Sequence, residues 1–296
     1  MVRLAHFRGT VRAQREGEPL LSWVREVTGW SQNKARELVR QGKVYLDGEP
    51  ALAPFDPVAS GAEVSIDTNR KKVRALPDFD ETQVLYRDAT LVIVNKPPSM
   101  ASVPPTRTGE PTLLDHLVRL MKPQRPTPLH RLDAETSGLM VFGVEGGDLE
   151  TMRRRFRRHE IDRRYYAVVL GNPVEGVLED DIDVTRERFG GEPTVRHAVT
   201  HVSVVTRGGP YTLVECRPKT GRWHQLRIQL SLHGTPIVGE KEHIPPALEV
   251  PWSRRQGLAL HSFHLALEHP TTGQQLQWTT PVPERLKRLL QQDADR

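Results

Sequence analysis

One cysteine in 296 residues, Cys216, leaves nothing for an intramolecular disulfide framework or a thiolate-rich zinc site. Its place at the end of the strand-like run Tyr211 to Cys216 makes it an inert thiol of a reducing compartment. No His-Glu-x-x-His pattern and no clustered acidic ligand set occurs, so a metal-dependent hydrolase has no visible ligands. No uncharged run approaches the roughly 20 residues that a membrane helix needs. The first residues, with Arg3, His6, Arg8 and Arg12, lack the apolar segment of a secretion signal. The expectation is a cytoplasmic, monomeric protein without a membrane partner.

What is present is charge and length. The 42 basic residues outnumber the 37 acidic ones, a net charge of +5, which favours a polyanionic partner such as nucleic acid. A chain of 296 residues exceeds the usual single-domain size, so a large domain with a small one is expected.

The small one is visible between residues 18 and 68. Leu20, Leu21, Val24 and Val27 predict a first helix, and Ser31 caps a second running from about Asn33 to Gln41 and stopped by Gly42. Lys43 to Gly48 reads as a strand and turn, and Gly61 to Ile66 as a returning strand. The run Lys34-Ala35-Arg36-Glu37-Leu38-Val39-Arg40-Gln41-Gly42-Lys43-Val44, followed by Asp47-Gly48, resembles the alpha-L RNA-binding domain of ribosomal and RNA-modifying proteins. That resemblance implies that Lys34, Arg36, Arg40 and Lys43 face phosphates, which supply sequence-independent affinity. Residues 1–17 are then an N-terminal extension, and the basic, proline-containing stretch 69–82 a linker.

Beyond the linker, apolar runs alternate with shorter helical ones: Leu91 to Val94, Leu139 to Val144, Tyr166 to Leu170, Ala198 to Val205, Tyr211 to Cys216 and Leu226 to Leu230. This order predicts an α+β domain on a large mixed, mostly antiparallel sheet over 83–296. Its most informative stretch is His130-Arg131-Leu132-Asp133-Ala134-Glu135-Thr136-Ser137-Gly138, which runs directly into Leu139-Met140-Val141-Phe142. An acid beside a histidine and an arginine, closed by a turn and anchored by a strand, is a positioned carboxylate; taken alone it is also an ordinary turn aspartate.

Three further segments accompany it: Val94-Asn95-Lys96-Pro97-Pro98, Arg163-Arg164-Tyr165-Tyr166-Ala167-Val168-Val169-Leu170-Gly171, and Thr220-Gly221-Arg222-Trp223-His224-Gln225-Leu226-Arg227 followed by Gly234 to Gly239. Together, over residues 83–285, they resemble the RluA-type RNA pseudouridine synthases. The resemblance implies the pseudouridine synthase fold and isomerisation of uridine to pseudouridine within RNA, without metal or redox cofactor. It implies Asp133 as the catalytic carboxylate, Arg227 as the partner that keeps it ionised, and Tyr165 as the ring stacked on uracil. An arginine so close lowers a carboxylate pKa by roughly 1 to 3 units. Tyr166 is the rival, and alternation puts the two tyrosines on opposite faces of a strand.

A uridine stacked in RNA must be flipped out to reach a protein carboxylate. His130 and Arg131 are suited to fill the space it leaves or to hold phosphates, and His130 serves equally as a buried structural ring. The run from Met152 to His159 with Arg163 and Arg164 holds seven arginines within 12 residues; Arg155 and Arg158, with Arg222 and His224, are further expected RNA contacts. The chain departs from the family pattern at Pro98-Ser99, at Trp223 and from Glu240 onward; Trp223 and the 240–256 loop are expected to line the RNA path, so these departures bear on which RNA is bound. Large-subunit ribosomal RNA is the expected substrate and transfer RNA the alternative. A noncatalytic RNA-binding or ribosome-assembly factor on the same scaffold is the rival from another class.

Overall fold

The computed structural model describes residues 8–51, 55, 57–68, 79–103, 112–184, 194–252 and 257–291. It divides into two compact units, residues 1–78 and 79–296.

In the first unit, β1 (Arg8–Arg12), β2 (Glu18–Pro19), α1 (Leu20–Thr28), α2 (Gln32–Arg40), β3 (Val44–Leu46), β4 (Glu49–Pro50), β5 (Pro57–Val58) and β6 (Glu63–Asp67) follow in order. Leu20, Leu21, Trp23 and Val24 of α1 pack with Ala35, Leu38 and Val39 of α2 on Val44, Val64 and Ile66 of the sheet. The apolar spacing produces this directly, because i, i+3 and i+4 positions share a helix face. Gly29 ends α1 in the left-handed conformation that favours glycine. The stretch expected to be an N-terminal extension contains a strand: β1 pairs antiparallel with β6 along its whole length, from Arg8 opposite Asp67 to Arg12 opposite Glu63. Of the expected linker, residues 69–78 lie outside the described residues.

The second unit contains β7 (Val84–Arg87), β8 (Leu91–Lys96), α3 (Leu113–Leu120), β9 (Pro126–Pro128), β10 (Ser137–Val144), α4 (Leu149–Arg157), β11 (Asp162–Leu170), β12 (Gly176–Asp183), β13 (Val195–Gly208), β14 (Tyr211–Pro218), α5 (Gln225–Leu232), β15 (Leu260–Glu268), β16 (Gln275–Thr279) and α6 (Glu284–Gln291). Ten strands form one sheet in the order β12-β13-β14-β11-β15-β10-β8-β7, with β16 beside β15 and β9 beside β10. This is the mixed, mostly antiparallel sheet expected. Its parallel pairing joins β10 to β15, with Ser137 opposite His261 and Gly138 opposite Ser262. There the residue must be glycine: φ is +112°, and a Cβ would lie 2.1 Å from the Ser262 carbonyl oxygen. The Asp133 turn thus enters the sheet centre at a point where backbones touch.

In this unit one apolar run differs from the sequence expectation. Leu226 to Leu230 lies in helix α5, not in a strand. Leu226, Ile228 and Leu230 alternate with polar residues, but every residue from Gln225 to Ser231 is buried, so the alternation marks no solvent face. The polar positions carry their own partners. Gln225 and Gln229, one helical turn apart, both bond Thr200 Oγ1, at 2.9 and 2.7 Å, and Gln229 also donates to Asp180 at 2.7 Å. A helix enclosed on all sides has no amphipathic period to read.

Candidate active site

The Asp133 turn is pinned on both sides. Before it, the Leu132 amide donates to Ser102 Oγ at 3.1 Å, and the Ser102 hydroxyl returns a bond to the Leu132 carbonyl at 2.6 Å. After it, the ammonium of Lys96, at the end of β8, donates to the carbonyl of Ala134 at 3.1 Å, and to those of Met100 and Pro97 at 2.8 and 3.0 Å. Lys96 is fully buried; desolvation brings its pKa down to about 7, opposed by the charge of Asp133. Glu135 pairs with Lys241 at 3.0 Å. The carboxylate therefore sits on a short segment with little freedom.

Asp133 opens into a cavity of about 720 Å³. Arg131, Tyr165, Leu226, Arg227 and Leu260 share its lining, so the three candidates Asp133, Tyr165 and Arg227 come together from the turn, β11 and α5. Tyr165 is buried and lines the cavity, whereas Tyr166 stacks on Phe263 at 3.7 Å on the other face of β11. Alternation along the strand separates the two rings as expected.

The electrostatics differ from expectation. Arg227 Nη1 lies 3.4 Å from Asp133 Oδ2, a long contact. Its close partner is Glu240, which it grips in two-pronged fashion, Nε to Oε2 at 2.6 Å and Nη2 to Oε1 at 2.8 Å; Nη2 also donates to Glu242 at 3.1 Å. Glu240 is completely buried; its carboxyl is drawn down to about 2 by this guanidinium and by backbone amides, against the opposing cost of burial. Asp133 goes the other way. Burial raises its pKa, and the positive charges of Arg227 and Arg131 offset this only in part, with Glu240 adding repulsion. Arg227 draws the Asp133 pKa down by its charge and its hydrogen bond, but burial outweighs it. Glu240 follows Gly239, whose φ of +85° and close approach to the Gly257 carbonyl fix the turn; it stands where the sequence leaves the family pattern.

Several side chains expected to contact RNA have partners within the protein. His130 is a neutral structural ring: its Nε2 accepts the Val141 amide of β10 at 3.1 Å, it stacks on Phe156, and burial drives its pKa down to about 3. His224 is nearly buried, 3.5 Å from Asp133 Oδ2, and is neutral for the same reason, with its pKa also down to about 3; it surrounds the carboxylate and supplies no cation for phosphate. Arg155 is tied to Glu268 of β15, and Arg158 turns toward Glu160 at 3.8 Å; both lie away from the cavity, while Arg157 and Arg163 line it. Arg131 and Arg222 line the cavity. In the first unit Lys43 is buried and donates to the Thr68 carbonyl at 2.6 Å, so it does not face phosphate. Lys34 is exposed over the Trp30 ring and Arg36 lies over Phe55; the Arg40 side chain is outside the described residues.

Sequence reasoning passed over Lys96, Glu240, Glu242 and His243. For Lys96 the signal was a lysine ending an apolar strand; a charge there must be fully hydrogen-bonded. His224, Glu242 and His243 bring ligand-type atoms within 4.8 Å of one another. The Arg227 guanidinium stands 2.8 Å from His224 Nε2 and 3.1 Å from Glu242, so the cationic position of this cluster is already filled.

Residues 90–232 match the sequence profile of the family described as RNA pseudouridylate synthase. The "Ribosomal large subunit pseudouridine synthase D" of Xanthomonas campestris pv. campestris is 30% identical over 280 residues, covering 88% of this chain and 84% of that protein. The protein of the same name from Vibrio cholerae is 27% identical, with 96% and 95% covered. In three dimensions the fold is similar to that of "Human RNA Pseudouridylate Synthase Domain Containing 4", with a TM-score of 0.56 at 24% identity, over 70% of this chain and 93% of that one. With its sheet and Asp133 cavity in place, and a 30% identical relative matched over most of its length, this chain belongs to the RNA pseudouridine synthases, the isomerases that convert uridine to pseudouridine.

Proposed function

We propose that the chain modifies uridine in large-subunit ribosomal RNA, with Asp133 as catalytic carboxylate, Tyr165 as the ring against uracil and Arg227 as the group that holds the charge balance of the site. The observation that carries the reading is a rigidly held carboxylate opening into a basic cavity beside a buried tyrosine. The substrate class is supported by the names of the relatives.

The reaction breaks the bond between sugar C1′ and uracil N1 and makes one between C1′ and C5; a proton leaves C5 and one ends on N1. Atoms balance without an oxidant or reductant. The base reaches Asp133 by flipping out of its stack, at a cost of a few kcal/mol that phosphate contacts offset. Arg131, Arg163 and Arg222 at the cavity are the candidates for those contacts. Lys34 and Arg36 of the first unit supply further affinity. The unfavourable burial of the Asp133 charge raises its basicity, and with it the reactivity of the ionised form toward an electron-poor sugar carbon.

The test is to map pseudouridines in total RNA from cells with and without the gene. Sites lost from large-subunit RNA support the proposal; loss from transfer RNA alone overturns the substrate assignment. In purified protein Asp133→Asn removes pseudouridine formation and keeps RNA binding, and full activity of that variant refutes the role of Asp133. Sedimentation of the active protein as a single-chain species tests the proposed monomer.

A further inference from the structure

We infer that Trp223 is a stacking platform for the base that neighbours the uridine entering the Asp133 site, an assignment that rests on the function proposed above. Trp223 and His224 are consecutive, yet their rings lie parallel, with centroids 3.7 Å apart and 19° between planes. Adjacent side chains in a strand point to opposite faces. Here His224 takes the left-handed conformation, φ 50°, just before α5, a costly choice for a residue with a Cβ.

The surroundings hold that choice in place. His224 Nδ1 lies 2.8 Å from His243 Nε2, and Arg227 Nη1 stands 2.8 Å from His224 Nε2. His243 also meets the indole edge-on, at 5.8 Å. The indole is thus backed by a ring that is itself fixed, while Trp223 stays half-buried at the cavity wall.

The cavity of about 720 Å³ is larger than one nucleoside requires. Tyr165, Leu226 and Leu260 supply the apolar wall near Asp133, and Trp223 adds a further aromatic surface to the same space, beside Arg222. A fixed aromatic face next to an arginine suits a base and its phosphate, and it tolerates any base because every base has a π-face. Stacking on an aromatic side chain contributes roughly 1–3 kcal/mol per base, which at 1.4 kcal/mol per tenfold is about 5- to 150-fold in affinity.

The probe is the pentanucleotide UUUUU, bound to the full-length protein at low salt and followed by tryptophan emission and calorimetry. Saturable binding that quenches emission is expected. Trp223→Leu, which keeps apolar bulk but no stacking face, weakens binding by about 5- to 150-fold and loses the quenching component, whereas Trp223→Phe stays within about 5-fold of the parent. Thermal melting of both variants confirms that they are folded. Equal binding by the parent and Trp223→Leu, equal losses in the Leu and Phe variants, or no saturable binding by the parent each overturns the assignment. Pseudouridine formation by Asp133→Asn would instead overturn the functional reading and leave the pentanucleotide result untouched.

Discussion

Replacing Arg227 by methionine tests the charge balance of the site most directly. Glu240 is wholly buried and titrates at about 2 where a free glutamate titrates near 4.5. At 1.36 kcal/mol per pKa unit, the folded site favours the ionised carboxylate by a net of roughly 3 kcal/mol, the guanidinium and backbone amides outweighing the cost of burial. Removing one partner of a buried pair typically costs ~3–5 kcal/mol, because the other charge is left without compensation. For a unit of roughly 200 residues each kcal/mol shifts Tm by about 2–4 °C, so Arg227→Met should melt roughly 6–20 °C lower at pH 7. The sign follows from a depressed pKa: in the parent this stability is present above pH 4.5 and is lost as pH falls toward about 2. In Arg227→Met the buried carboxylate has lost its counter-charge, so protonation relieves it and the deficit against the parent shrinks in acid. Adding Glu240→Gln, whose carbonyl oxygen still accepts the amides of Lys241 and Glu242, should recover most of the loss. Calorimetry of parent, single and double variants at pH 7 and pH 4 decides it. A Tm within 2 °C of the parent, or a deficit that grows in acid, refutes the reasoning.

Three other outcomes are expected. Arg131 lowers the Asp133 pKa while burial raises it, so the acid limb of kcat should lie above the ordinary carboxylate range and move to higher pH in Arg131→Gln; a limb that does not move removes Arg131 from the electrostatics of the site. Gly138→Ala forces a Cβ against the Ser262 carbonyl at a positive φ and should destabilise the fold by more than ~1 kcal/mol in chemical denaturation, whereas the same change at Gly273, with no neighbour within 4 Å, should be milder. Arg163→Gln and Arg222→Gln should each reduce the slope of log affinity against log salt by about 0.7 to 1, whereas Arg155→Gln, whose guanidinium is committed to Glu268, should leave it unchanged.

Asp133→Asn also separates catalysis from stability. The folded environment penalises the ionised carboxylate, so the neutral amide should leave Tm equal or higher while activity is lost.

The sequence by itself determined the long apolar strands Leu91 to Val94 and Leu139 to Val144, the helices of the first unit, and the ordered motifs that name the family. These are local facts: a buried strand is a continuous apolar run, and a helix face repeats every three or four residues. The tertiary structure alone decided that Leu226 to Leu230 is helical, because a helix enclosed on all sides has no solvent face to set its period. It also decided the electrostatics. Arg227 is 94 residues from Asp133 in sequence but only 13 from Glu240, and only the folded chain shows that the nearer carboxylate takes the strong bonds. The same holds for Lys43, Lys96, His130 and Arg155. Each carries a side chain whose charge suits solvent or RNA, and burial with carbonyl, amide or carboxylate partners assigns it to the scaffold. Motifs specify which groups are present; desolvation and distance, which arise only when remote segments meet, fix what each group does.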